Sequence, residues 1–220
     1  MPRDESATER PPAGPRSRKG AATRARLLEA AKGVFEDAGF REARIADIAE
    51  RAGVSHGSFY HYFDSKEQIF REVADAQEAL LTAPGDPGDP RGEDAGPRSE
   101  YERILHANRL YLQRYRDNGR IMGVIEEVSR YDAHVNDARM RRQRHFAHRA
   151  ERAIRRLRDA GAADPDVDPE IASVALGSMV GRFAELWLIE DWGKFDFDGV
   201  VEQMTRLWAN AIGLREPGGD

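Results

Sequence analysis

The sequence predicts an all-α protein of about nine helices, arranged as a small amino-terminal head and a larger carboxy-terminal helical block. Three observations predict it. Apolar residues recur every three or four positions through most of the 220-residue chain, the period of one helical face. Many of these runs open on Ser, Thr or Asp, whose side chains satisfy the free N–H groups of a first helical turn. Strand signals are few, and two stretches rich in Pro and Gly set the helical runs apart.

Residues 1–20 hold Pro11, Pro12, Pro15 and a basic cluster from Arg16 to Lys19, with almost nothing to enter a core, so they read as a disordered basic tail. Thr23 caps a first helix built on Leu27, Leu28, Ala31, Val34 and Phe35. Gly39 ends it in the left-handed conformation, and Phe40 supplies the apolar contact that follows such an end. A short second helix spans about Ile45–Ala52 and stops at Gly53; Ser55 caps a third, about His56–Phe63. Ser65 and Gln68 have the spacing of a capping box for a fourth, which buries Ile69, Phe70, Val73 and Leu80. Residues 83–98 read as a flexible Pro/Gly linker, leaving 21–82 as the head with its connecting helix and 99–214 as the second block.

In that block Ser99 and Glu102 form another capping box, opening a helix that carries Tyr101, Ile104, Leu105, Leu110, Tyr111 and Tyr115. It stops at Asn118-Gly119. The next helix runs about Arg120–Tyr131, and a long one about Asp137–Ala160 ends at Gly161. Asp168 before Pro169 opens a helix to about Glu190, since Pro suits the first helical position. Asp198 caps a last one to about Ile212.

Composition excludes several classes. The chain has no cysteine, so disulfide frameworks and thiolate metal sites are out. With no run of 18 uncharged apolar residues, no membrane span is expected. The first 20 residues lack the apolar segment of a secretory signal, which leaves a cytoplasmic location as the expectation. The net charge of −5 divides into +1 over residues 1–72 and −6 over 73–220, so any attraction to nucleic acid has to be local.

Function concentrates in residues 45–66, IADIAERAGVSHGSFYHYFDSK. Two short helices separated by about three residues, with Gly at the turn, make a helix-turn-helix. Ala49 is small where the two helices cross, Gly53 supplies the positive φ of a tight turn, and Ile48, Val54 and Phe59 form the apolar wedge that fixes the angle. The third helix shows a hydrogen-bonding face of His56, Ser58 and His61 with Tyr60 and Tyr62 nearby, poor at core packing and suited to groove edges and phosphates.

The segments ARLLEAAKGVFEDAGF and DIAERAGVSHGSFYHYFDSKEQIF resemble the TetR/AcrR family of transcriptional regulators, over about residues 21–75. The resemblance implies a helix-turn-helix DNA-binding domain followed by a divergent helical domain for dimerisation and small-molecule sensing. By position it implies that His56, Gly57, Ser58, His61 and Tyr62 meet bases and nearby phosphates, that Tyr60 and Lys66 grip phosphate, and that Ser55 opens this surface. At the start of the second helix the family's Ser/Thr is replaced by Ala43, and Arg44 stands in for a phosphate contact.

Weaker signals lie in the second block. Residues 139–158 hold nine arginines, which read as a solvated helix face or as an anion site for a phosphate-bearing effector. His145, His148 and Glu151 are surrounded by those arginines, which repel a cation, so no metal is expected. Gly177, Gly181, Met204, Leu207, Trp208 and Ala211 belong to two final helices apolar on more than one face, either a buried core pair or a four-helix homodimer interface; the resemblance favours the dimer. Tyr111, Tyr115, Met122, Ile125, Phe146, Met179, Phe183 and Trp187 are equally core or the lining of an apolar pocket, and the resemblance favours a pocket.

No catalytic constellation and no cofactor motif is visible. The expectation is therefore a homodimeric repressor on palindromic double-stranded operator DNA, released by a small apolar effector (an acyl-coenzyme A or a steroid-like molecule). A helical enzyme or carrier that shares only the head is the rival reading.

Overall fold

The structure, a computed structural model, describes residues 18–83 and 99–214; the tail before Arg18 and the linker after Ala83 lie outside the described residues. Within them the chain forms nine helices and no strand: α1 (Arg18–Glu42), α2 (Ile45–Arg51), α3 (His56–Phe59), α4 (Lys66–Thr82), α5 (Glu100–Asp117), α6 (Gly119–Ser129), α7 (Ala133–Asp159), α8 (Pro169–Leu188) and α9 (Phe197–Ala211). Two compact units divide between Phe70 and Arg71, inside α4.

The amino-terminal unit folds around Leu27, Phe35, Ile48, Phe59, Phe63, Ile69 and Phe70. α1 is already helical at Arg18, ahead of Thr23, so residues 18–20 are helix rather than tail. The Thr23 hydroxyl donates back to the Lys19 carbonyl at 3.0 Å instead of capping. Gly39 breaks the helix at φ 73°, as its sequence context demands. Phe40 then folds back, with its ring 4.9 Å from Phe70 and 5.9 Å from Phe35. Gly53 holds the turn between α2 and α3 at φ 67°. α3 is a single turn, four residues shorter than its expected end, because Phe59 and Phe63 both turn into the core and the chain leaves helix between them. At α4 Ser65 accepts from the Gln68 N–H at 3.1 Å, but the Gln68 side chain reaches the Asp64 N–H, not that of Ser65.

In the carboxy-terminal unit α7 packs along α8, and α5 along α9. Leu81, not Leu80, faces the core at the end of α4. The capping box of α5 is complete: Ser99 Oγ accepts from Glu102 N–H at 3.2 Å and Glu102 Oε2 from Ser99 N–H at 2.9 Å. A buried Asn108 amide donates to Thr205 Oγ1 at 3.2 Å, and that hydroxyl donates to Val201 O, pinning α5 to α9. The last helix is capped by Asp196, which accepts from Gly199 N–H at 2.8 Å; Asp198, the residue the sequence favours, pairs instead with Arg109. By length and composition α8 is apolar enough to cross a membrane, which the count of uncharged residues misses because Arg182 and Glu185 interrupt it.

α7 begins four residues ahead of its expected start because Asp132 caps it, accepting from Val135 N–H at 3.1 Å while its carboxylate meets Arg71 at 2.9 Å. Burial pushes this carboxyl up, but Arg71 and the backbone N–H groups of Val135 and His134 outweigh it and hold it below its usual range. A depressed carboxyl stabilises the fold above its unfolded value, about 3.9, and that contribution is lost as pH falls through the lower folded value. Asp132→Ala is therefore expected to lose about 1–2 kcal/mol in urea titrations at pH 7, the scale of a lost cap. The gap from wild type should shrink in titrations near pH 3.

Candidate nucleic-acid interface and ligand cavity

The single turn of α3 and the turns on either side of it carry most of the residues that the sequence marks for DNA. His56, Gly57, Tyr60 and His61 are exposed there, and Ser58 and Tyr62 are half-buried. Their geometry follows from Phe59, whose ring is fully buried and turns its neighbours outward. The His56 ring stands edge-on to Tyr60 with centroids 5.4 Å apart, and Tyr60 packs edge-on to Phe59 at the same separation. Ser55 caps α3, and its hydroxyl shares a 2.7 Å hydrogen bond with that of Ser58, so both hydroxyls are engaged. Arg44 lies at the start of α2, outside that helix-turn; it makes two 2.9 Å bonds to Asp47 and supplies no side-chain cap.

Lys66 has another job in this structure. Its ammonium donates to the carbonyls of Phe40, Arg41 and Ala43 at 2.8, 3.0 and 2.9 Å and lies over the Phe40 ring at 4.8 Å. All three protons are taken by carbonyls between the break at Gly39 and the start of α2. The sequence hides this, because 23 to 26 residues separate the partners.

Gly57 is informative for the opposite reason. A Cβ added there meets nothing within 4 Å, and its φ is not in the left-handed region. The fold therefore does not require glycine at this exposed position.

The carboxy-terminal unit contains a half-open cavity of about 760 Å³, within the range of small-molecule sites. Of the sequence-marked pocket residues it takes Tyr111, Tyr115 and Phe146. Met122 and Ile125 are core residues, and Met179 packs against the cluster of Ile154, Leu157 and Leu176. Phe183 and Trp187 join Phe195 and Phe197 in a separate aromatic group. The cavity takes in Gly177, Gly181 and Trp208, marked from sequence for the dimer interface. Met204 is 7% exposed and belongs to the core, whereas Leu207 and Ala211 face out.

Nine arginines line the cavity against two glutamates, Glu100 and Glu185. Arg149, Arg152 and Arg156 form an exposed row on one face of α7, with no side-chain partner among the described residues. Arg142 differs: it is 7% exposed and paired with Glu78 of α4, itself 4% exposed. Burial pushes the Glu78 carboxyl up against the pull of Arg142 and Arg139. It also pushes the phenols of Tyr111 and Tyr115 up, so both stay neutral. Sequence reading found the arginine row but not the buried pair, whose partners lie 64 positions apart on different helices.

A helix-turn-helix with an exposed polar face, followed through α4 by an all-helical unit with a cavity, is the architecture of DNA-binding regulators. Comparison with known proteins agrees. Residues 27–73 match the family model described as bacterial regulatory proteins, tetR family. The chain is 43% identical over 63 residues to the HTH-type transcriptional repressor KstR2 of Rhodococcus jostii, a match spanning 29% of this chain and 30% of that protein. It is 26% identical over 180 residues to the HTH-type transcriptional regulator TtgR of Pseudomonas putida, spanning 76% and 80%. The transcriptional regulator FadR of Bacillus subtilis, solved with stearoyl-CoA, shares the fold at TM-score 0.65 and 15% identity, over 86% of this chain and 98% of that one. Residues 27–73 carry the tetR-family domain; the chain spans less than a third of the length of relatives such as KstR2 that it matches above 40% identity, and these relatives are regulators rather than enzymes.

Proposed function

We propose that the protein is a homodimeric, cytoplasmic repressor that holds a palindromic operator and leaves it when a small apolar effector enters the cavity. In this reading residues 21–82 bind DNA, 83–98 link, and 99–214 bind effector and dimerise. The observation that carries it is the exposed polar surface of α3 and its flanking turns, built on a buried Phe59 and left bare at Gly57. Two such surfaces reading one palindrome must reach successive major grooves, about 34 Å apart. Effector candidates are an acyl-coenzyme A first and a steroid-like or other apolar acid second. The cavity's apolar walls and arginines favour the acyl thioester, as does the stearoyl-CoA held by the structurally similar FadR.

Gel shifts of DNA upstream of the gene, with and without a dodecanoyl-coenzyme A titration, test the reading. Retention of a discrete operator and its release by ligand are expected; tight ligand binding with operator affinity unchanged retires derepression. The fold tolerates a Cβ at Gly57, so Gly57→Ala should melt like wild type yet lose operator affinity, because the methyl group meets DNA rather than protein. Roles within the surface separate by selectivity. Tyr60→Phe should weaken all sequences alike, whereas His56→Ala and Ser58→Ala should relax base preference by about 1–3 kcal/mol at the contacted pair. Identical profiles for both groups across operator variants would retire the assignment.

A further inference from the structure

We infer that Arg142 is the anion anchor of the cavity and that its ligand is an apolar molecule headed by a carboxylate, which draws the guanidinium away from Glu78. The inference rests on the reading of this cavity as the effector site. It adds the head-group chemistry and the residue whose partner changes.

The buried ion pair is incompletely made. Arg142 Nη1 stands 2.8 Å from Glu78 Oε2, yet neither that nitrogen nor either Glu78 oxygen makes a hydrogen bond. Removing two charges from water costs several kcal/mol per ion and is repaid only by good geometry and full hydrogen bonding. This pair has neither, so it is open to a better partner. A carboxylate approaching in the guanidinium plane supplies two parallel bonds, the strongest arrangement open to arginine.

Placement allows that approach. Arg142 lines the large cavity; Glu78 does not, and the two together line a smaller one of about 280 Å³. On the ligand's side the wall beside Arg142 is apolar, with Tyr111 against Tyr115 at 5.8 Å and against Phe146 at 5.4 Å. Glu185 is the buried acid that also lines the cavity, and Arg182 neutralises it at 2.6 Å. The exposed row of Arg149, Arg152 and Arg156 draws anions toward the cavity but is solvated and screened by salt, so it does not fix a head group. Glu78 lies on α4, so its release acts on that helix.

Dodecanoate, dodecanol and dodecanoyl-coenzyme A, titrated into the full-length protein with emission from the cavity's Trp208 as signal, test this. Dodecanoate should bind at least about tenfold more tightly than dodecanol. Glu78→Gln should tighten dodecanoate further. Arg142→Met with Glu78→Met, which leaves no unpaired buried charge, should bind dodecanol as wild type does and lose the preference for the acid. Equal binding of acid and alcohol overturns the anchor while leaving the cavity as an effector site. So does binding of the thioester alone, lost in the Arg149, Arg152 and Arg156 alanine variants and unchanged in the double methionine variant. If no amphiphile binds, the anchor falls together with the effector reading; if the acid binds through Arg142 without releasing operator DNA, the effector reading falls alone.

Discussion

An Ile171→Glu, Leu207→Glu double variant is expected to be a folded monomer whose operator affinity has dropped by roughly a thousandfold or more, to the non-specific level. On α8 Ile171 (71% exposed) and Ala175 face outward beside Val174 (54%), which also lines the cavity, and on α9 Leu207 (50%) and Ala211 face outward. Exposed apolar residues grouped on two helices mark a candidate interaction surface. Pairing with its copy in a four-helix joint buries it with two-fold symmetry. A carboxylate at either position is solvated in the monomer, so the fold bears it; in the joint it is desolvated without a partner. Light scattering and circular dichroism read the two consequences separately, and Met204→Glu is the contrast, since Met204 is buried and its variant should unfold. A wild-type chain that is monomeric both free and on DNA would remove the joint, and with it the palindromic operator.

The parts legible in the sequence are those written in local code. Ser55, Ser99 and Asp168 cap the helices their spacing promises, and Gly39 and Gly53 take the positive φ that ends a helix or tightens a turn. Each depends on neighbours within a few residues. Where local signals compete, the sequence cannot choose: Asp196 and Asp198 are both competent caps, and the contact of Asp198 with Arg109, 89 positions away, decides between them. Asp132 was hidden in the same way, one of two acids near the start of α7 and the one that also meets Arg71. Long-range packing erased more of the cavity than of the reading surface. Apolar period alone does not distinguish Met122 and Ile125, which fill the core, from Tyr111 and Phe146, which line a space. The charged side of that space was half legible, because nine arginines in one helix are visible but their partners are not.

Lys66 is where sequence position and structure give different expectations, and the difference is measurable. The resemblance implies a phosphate contact. The structure commits its three protons to the carbonyls of Phe40, Arg41 and Ala43, in the segment that follows the break at Gly39. Hydrogen bonds from a charged donor are worth about 1.5–3 kcal/mol each at full burial, and this ammonium is half-buried, so Lys66→Met should cost the head about 2–3 kcal/mol in total. Lys66→Arg should not restore it, because a planar fork cannot aim three donors at three converging carbonyls as an ammonium does. Operator binding by Lys66→Met should then fall in step with the unfolding of the head, recover as temperature is lowered, and keep the wild-type salt slope. A lost phosphate contact reads otherwise. If Lys66→Met melts like wild type and its salt slope is smaller by about 0.9, the ammonium leaves these carbonyls for the DNA backbone and the structural role fails.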